Sequence, residues 1–118
     1  MPPARLDEVL ATPSRSGIEP WVRHSRATLD TMLREVNARG FAVADNELAP
    51  GIRSVAVPIR DGRGEVRAAM NVTVNSAETT TKTLLDRHLP HLQRAAGAIS
   101  SDWALWQSRP QLDLPART

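Results

Sequence analysis

Apolar positions along this chain recur with two periods, and the switch between them separates helices from strands. Leu6, Val9 and Leu10 fall three and four apart, which predicts a short helix within residues 1–11 that Pro13, Ser14, Ser16 and Gly17 end. Residues 13–26, with Pro13, Pro20, several serines and a lone Trp21, read as loop. Leu29, Met32, Leu33 and Val36 make an i, i+3, i+4, i+7 stripe, so a helix is predicted from Thr28 to Arg39. Thr28 is its predicted cap, Asp30 suits the positive end of the helix dipole, and Gly40 is the stop. Phe41–Ala44 reads as a short strand and Asp45–Gly51 as a polar connection. The period then becomes two over Ile52–Arg60 and Glu65–Val74, and the intervening Asp61-Gly-Arg-Gly64 marks a hairpin. Helical spacing returns in Leu85, Leu89, Leu92, Ala96, Ile99, Trp103 and Trp106, which predicts a helix over about 80–107. Pro90 lies inside it and removes a backbone donor, so a kink or break is expected just before that residue.

The hairpin carries the most information. With the loop centred between Gly62 and Arg63, Val55 faces Met70, Val57 faces Ala68 and Ile59 faces Val66, all on one side, the core. The other side places Ser54 opposite Asn71, Ala56 opposite Ala69 and Pro58 opposite Arg67, with Thr73 next along. One face is bulky and apolar, the other small and polar. The small face either lies against solvent or a small-residue helix, or floors a ligand cavity, which the same composition suits.

Composition narrows the class. A chain of 118 residues is one domain or a large piece of one, and it has no cysteine, so neither disulfides nor a thiolate metal site can hold it. No apolar run approaches the ~20 residues of a bilayer span, and the N-terminus has no apolar signal core; a cytoplasmic protein without membrane attachment is expected. The net charge is +2, and along Arg53, Arg60, Asp61, Arg63, Glu65 and Arg67 the signs are interspersed instead of clustered as phosphate binding requires.

No catalytic constellation stands out. His88 and His91 share one helical turn, but no carboxylate joins them as a third metal ligand. There is no cysteine nucleophile, no nucleophile elbow and no phosphate loop. Asp45 and Glu47 are the only acid pair worth weighing, and two acids in a polar loop are ordinarily solvated. No cofactor, metal or enzyme activity is expected.

The run Arg39-Gly-Phe-Ala-Val-Ala-Asp-Asn-Glu-Leu-Ala-Pro-Gly-Ile-Arg-Ser-Val-Ala-Val-Pro-Ile-Arg-Asp-Gly-Arg-Gly-Glu-Val-Arg-Ala-Ala-Met-Asn-Val-Thr-Val-Asn75 resembles the C-terminal effector domain of IclR-type transcriptional regulators. The family shows a helix end at an arginine and glycine, an acidic Asp-x-Glu segment, a Gly-to-Pro strand with a serine inside it, a short turn and an Ala-rich strand with Ser or Thr. The helices on either side match too, so the resemblance covers roughly residues 1–107. It implies an α+β, GAF-like portion: an antiparallel sheet with its central hairpin at 52–74, flanked by helices. It further implies that residues 1–108 are the C-terminal part of an effector-binding domain, with 109–118 a disordered tail. The DNA-binding domain and the first half of the effector domain would then lie outside this chain, leaving DNA contact to that missing N-terminal part.

Function follows as an expectation from the resemblance: a non-enzymatic sensor of a small, aromatic or keto acid, acting as a homodimer or tetramer to control catabolic genes. The Ala69–Ala77 run looks closest to members answering aromatic acids such as protocatechuate or 4-hydroxybenzoate. The effector-binding positions it implies are Asp45, Glu47, Ser54, Ala56, Asn71 and Thr73. Arg53 falls on the apolar side of the hairpin, so the reading offers hydrogen-bond donors (Ser54, Asn71, Thr73) and no salt-bridge partner for a carboxylate. The alternative is a dimerisation module in which the Leu/Trp stripe of the last helix forms the interface.

Overall fold

The computed structural model describes residues 2–17, 19–20 and 22–110. Trp21, and the predicted tail from residue 111 on, lie outside them. Two helices come first, α1 (Pro3–Ala11) and α2 (Arg26–Arg39). Three strands follow, β1 (Ala42–Asp45), β2 (Ile52–Arg60) and β3 (Val66–Asn75). A helical turn α3 (Thr81–Thr83) runs through a π-helical turn, Leu84–His88, into the long helix α4 (Leu89–Gln107). The strands form one antiparallel sheet in the order β1-β2-β3, so the fold is α+β as expected.

α2 begins two residues before the predicted start. Its cap is Ser25, whose Oγ accepts the Thr28 N–H, so Thr28 is the third helical residue and supplies the donor. Gly40 ends the helix in the left-handed region with its N–H on the Val36 carbonyl.

The hairpin register differs from the predicted one by two residues. Val57 lies opposite Met70, Val55 opposite Val72, Ser54 opposite Thr73 and Ala56 opposite Asn71. The loop causes the shift. The Asp61 N–H donates to the Glu65 carbonyl and the Gly64 N–H to the Asp61 carbonyl, leaving Gly62, Arg63 and Gly64 as a three-residue loop. Gly64 has φ +81°, which L side chains resist. A bulge beside Ile59 and Arg60 follows, so Val66, predicted to pack beside Ile59, pairs with Arg60 and is 54% exposed. From Ile52 to Ile59 the two-residue slip keeps each side chain on its own face, so the division into an apolar and a small-polar side survives there, and only beyond the bulge does Val66 change sides.

The loop is built around Asp61, whose side chain is fully buried. Its Oδ1 accepts the N–H groups of Arg63 (2.8 Å) and Glu65 (3.1 Å), and its Oδ2 accepts Arg67 Nε at 2.9 Å. The Arg67 hydrogen bond, reinforced by those two amides, outweighs the desolvation that opposes it and holds the carboxyl down at about 2. Gly62 then docks on α4, its N–H donating to Gln107 Oε1 at 2.7 Å.

The core lies on one side of the sheet. Val55, Val57 and Ile59 pack against Leu84, Leu89, Leu92 and Ala96, with Met70, Val72 and Val74 partly covered beside them. The chain stays helical through Pro90, but just before it the α-pattern gives way to the π-helical turn Leu84–His88. The Leu89 N–H reaches back to the Leu84 carbonyl, a π-type bond, and the wider turn accommodates the proline that follows. The extra residue also shifts the helical phase. Leu84 becomes fully buried, and Leu85, predicted for the stripe, is half-buried. Towards the C-terminus the stripe leaves the core: Trp106 is 62% exposed.

Candidate functional site

The other side of the sheet is where α2 lies, and there the packing is different. α2 has no buried residue. Its apolar stripe, Leu29, Met32, Leu33 and Val36, faces a cavity of about 450 Å³ instead of a closed core. The floor of that cavity is β1 and β2. Ala42 pairs with Ala56 and Ala44 with Ser54, so four small side chains share this face. Small residues leave the volume open, whereas bulky ones would have let the sheet meet the helix.

The two ends of the cavity are polar. At the N-terminal end of α2, Glu47 lines the space and its carboxylate accepts from His24 Nε2. Both side chains are 25% exposed. The Val22 N–H also donates to the Glu47 carbonyl at 2.8 Å, so the segment leading into α2 is tied twice to one residue of the β1–β2 connection. At the C-terminal end, Arg39 and Glu35 line the space. Arg39 donates from Nε to the Phe41 carbonyl at 2.8 Å, and its guanidinium stands 4.7 Å above the Phe41 ring.

Of the residues expected to bind an effector, Glu47, Ser54 and Ala56 line this cavity together. Asn71 and Thr73 share the face one strand further on, opposite Ala56 and Ser54, where they are exposed and Asn71 Nδ2 donates to Thr73 Oγ1 at 3.1 Å. Asp45 does not join them. It is the register partner of Arg53, on the opposite face, and its carboxylate accepts Arg53 Nε at 3.0 Å. Arg53 also donates to the carbonyls of Ser76 and Thr79, so the pair ties β1 and β2 to the chain after β3. The alternation of a strand already separates Asp45 from Ser54, because an odd position on β1 meets an odd one on β2.

Sequence reasoning missed the α2 side of the site. Leu29, Met32, Leu33 and Val36 are spaced alike whether they face a core or a void, so periodicity carries no signal for the cavity. Nor does it show that His24 meets Glu47, 23 positions away in sequence. Among the described residues no group of three His, Asp or Glu side chains could hold a metal ion, and no helix is long and apolar enough to cross a membrane.

Comparison with known proteins agrees with this geometry. Residues 1–101 match the family described as bacterial transcriptional regulator IclR, C-terminal. A Pca regulon regulatory protein of Pseudomonas putida is 41% identical over 73 residues, 62% of this chain and 25% of that protein. A Pca operon regulatory protein of Acinetobacter baylyi is 32% identical over 65 residues, 55% of this chain and 23% of that protein. The chain thus spans about a quarter of the length of these relatives. Among solved structures, a transcriptional regulator from Rhodococcus sp. RHA1 superposes with a TM-score of 0.77 at 30% identity, over 89% of this chain and 42% of that one. The inducer-binding domain of a PobR double mutant from Acinetobacter, in complex with 3-hydroxybenzoic acid, superposes with a TM-score of 0.73 at 20% identity, over 85% of this chain and 57% of that one. These relatives are transcriptional regulators and not enzymes, and this chain belongs to the IclR C-terminal family.

Proposed function

We propose that this chain is the ligand-sensing part of a regulator of catabolic genes and that the cavity between α2 and the sheet takes a small aromatic carboxylate. One observation carries the reading: an apolar helical stripe stands over a floor of alanines and Ser54 with about 450 Å³ between them. That volume lies in the range of small-molecule pockets, and the lining, apolar with a few placed polar groups, is theirs too. The names of the relatives support the aromatic class: two Pca regulators, and a PobR domain holding 3-hydroxybenzoic acid. Ser54 offers a hydroxyl on the floor and Glu47 an acceptor at the rim, while Asn71 and Thr73 extend the polar strip beyond it. Asp45 has a different part, holding the β1–β2 connection through Arg53. In the whole regulator, a ligand preferring one arrangement of a dimer shifts the population toward it, and the DNA-binding parts follow.

Calorimetry of the chain with a panel of hydroxybenzoates and short keto acids tests this. Saturable binding is expected, and Ser54→Leu, which fills the floor of the cavity, is expected to abolish it. Silence across the panel, or binding indifferent to Ser54→Leu, would remove the reading. A second reading, a dimerisation module, is favoured by the open apolar patch of Ile99, Trp103 and Trp106 on α4, beside Leu105 at 67% exposure. Sedimentation decides it: a dimer that Trp106→Glu dissociates supports it, and a monomer at all concentrations ends it.

A further inference from the structure

We infer that Arg39 is the carboxylate anchor of the α2 cavity, an assignment that rests on the cavity binding a small acid. Among the described residues lining the cavity, Arg39 is the one cation. Arg39 is exposed at this end, where its Nε donates to the Phe41 carbonyl and its plane lies over the Phe41 ring, contacts that restrict the side chain. Its two terminal NH₂ groups make no hydrogen bond or ion pair with any described residue. A guanidinium tethered through Nε, with its terminal edge unpaired, is the donor arrangement that a carboxylate accepts in two parallel hydrogen bonds.

The surroundings make that charge decisive. Arg39 is the last residue of α2, where the unpaired carbonyls carry about half a negative charge. Glu35, one turn earlier, lines the same end. Without Arg39 the helix C-terminus and Glu35 disfavour an anion, so the arginine sets the cavity's preference for an acid. Of the strand arginines, Arg53 lies on the opposite face and is spent on Asp45, Ser76 and Thr79, while Arg60 donates to the Gly64 carbonyl and Arg67 is held by Asp61 and Glu65 at the hairpin tip. A ligand with its carboxylate at Arg39 places its ring beneath Met32, Leu33 and Val36 and points its far end at Ser54 and Glu47. That polarity selects an aromatic acid bearing a hydroxyl away from the carboxylate.

The test compares an acid with its neutral amide. By calorimetry, the chain is titrated with 3-hydroxybenzoate and with 3-hydroxybenzamide, alongside Arg39→Gln and Arg39→Lys. The expected result is that the native chain prefers the acid. Arg39→Gln then loses about 10- to 100-fold in affinity for the acid, the usual worth of a charged hydrogen-bonding partner, while amide binding is retained. Arg39→Lys recovers part of the preference because it keeps the charge and loses the fork. Acid affinity unchanged in Arg39→Gln, or acid and amide falling together, overturns the anchor and leaves the cavity reading standing if Ser54→Leu still abolishes binding. A native chain that binds neither compound overturns the anchor, and silence across the rest of the panel defeats the cavity reading as well.

Discussion

The π turn before Pro90 makes a prediction that the spacing of leucines alone contradicts. Leu84 is fully enclosed between the sheet and α4, whereas Leu85 is half-buried at the edge of the same cluster. Burying a leucine fully is worth about 1.5–3 kcal/mol, and truncation to alanine leaves a cavity that raises the loss, so Leu84→Ala is expected to cost about 3–4 kcal/mol. At Leu85 part of the side chain is already in water and the edge site can collapse, so Leu85→Ala is expected to cost about 1 kcal/mol. For a domain of about 100 residues each kcal/mol moves the melting temperature by about 4–8 °C, so the pair separates by roughly 8 °C or more. Urea unfolding followed by circular dichroism measures both, with equal m-values as the check that the unfolded states compare. A Leu85→Ala cost equal to or above that of Leu84→Ala would mean that the helix runs in regular α-phase through Pro90, and the π turn would be refuted.

The hairpin tip offers two more tests. A Cβ at Gly62 would meet Gln107 Oε1 at 2.9 Å and Ala104 Cα at 3.0 Å, so Gly62→Ala is expected to destabilise by about 1–3 kcal/mol through overpacking, read by thermal melting; Gly64→Ala is the comparison that strains the loop without touching α4. Asp61 titrates at about 2 in the folded chain against 3.8 as a free side chain, so it adds stability that is fully present above about pH 4. As pH falls from about 4 to about 2, the unfolded chain takes up a proton that the folded one refuses, and stability declines. Acid unfolding of Asp61→Asn should show a shallower loss over that window, and an unchanged slope would remove the carboxylate from its part in the loop.

Much of the fold was legible in the chain because its elements are set by local chemistry. The β2 and β3 alternation sorts the sheet into two faces, and no two-residue error in register can mix them. Ser25 to Gly40 carries its own cap and stop, although the cap sits at Ser25 and not at Thr28. Asp45, read as the start of the polar connection, is instead the last residue of β1, and its pairing with Arg53 sets it on the other face.

Tertiary structure decided the rest, because it depends on how far apart elements sit and not on which face each presents. An apolar stripe at Leu29, Met32, Leu33 and Val36 demands cover from water, but its spacing is silent on whether the cover is a sheet or a space. The small floor of Ala42, Ala44, Ser54 and Ala56 settles that it is a space. The same holds for His24 on Glu47, for Gly62 against α4 and for Arg39 at the mouth of the cavity: each is a meeting of residues distant in sequence or in element, where local pattern has no term for the distance between them.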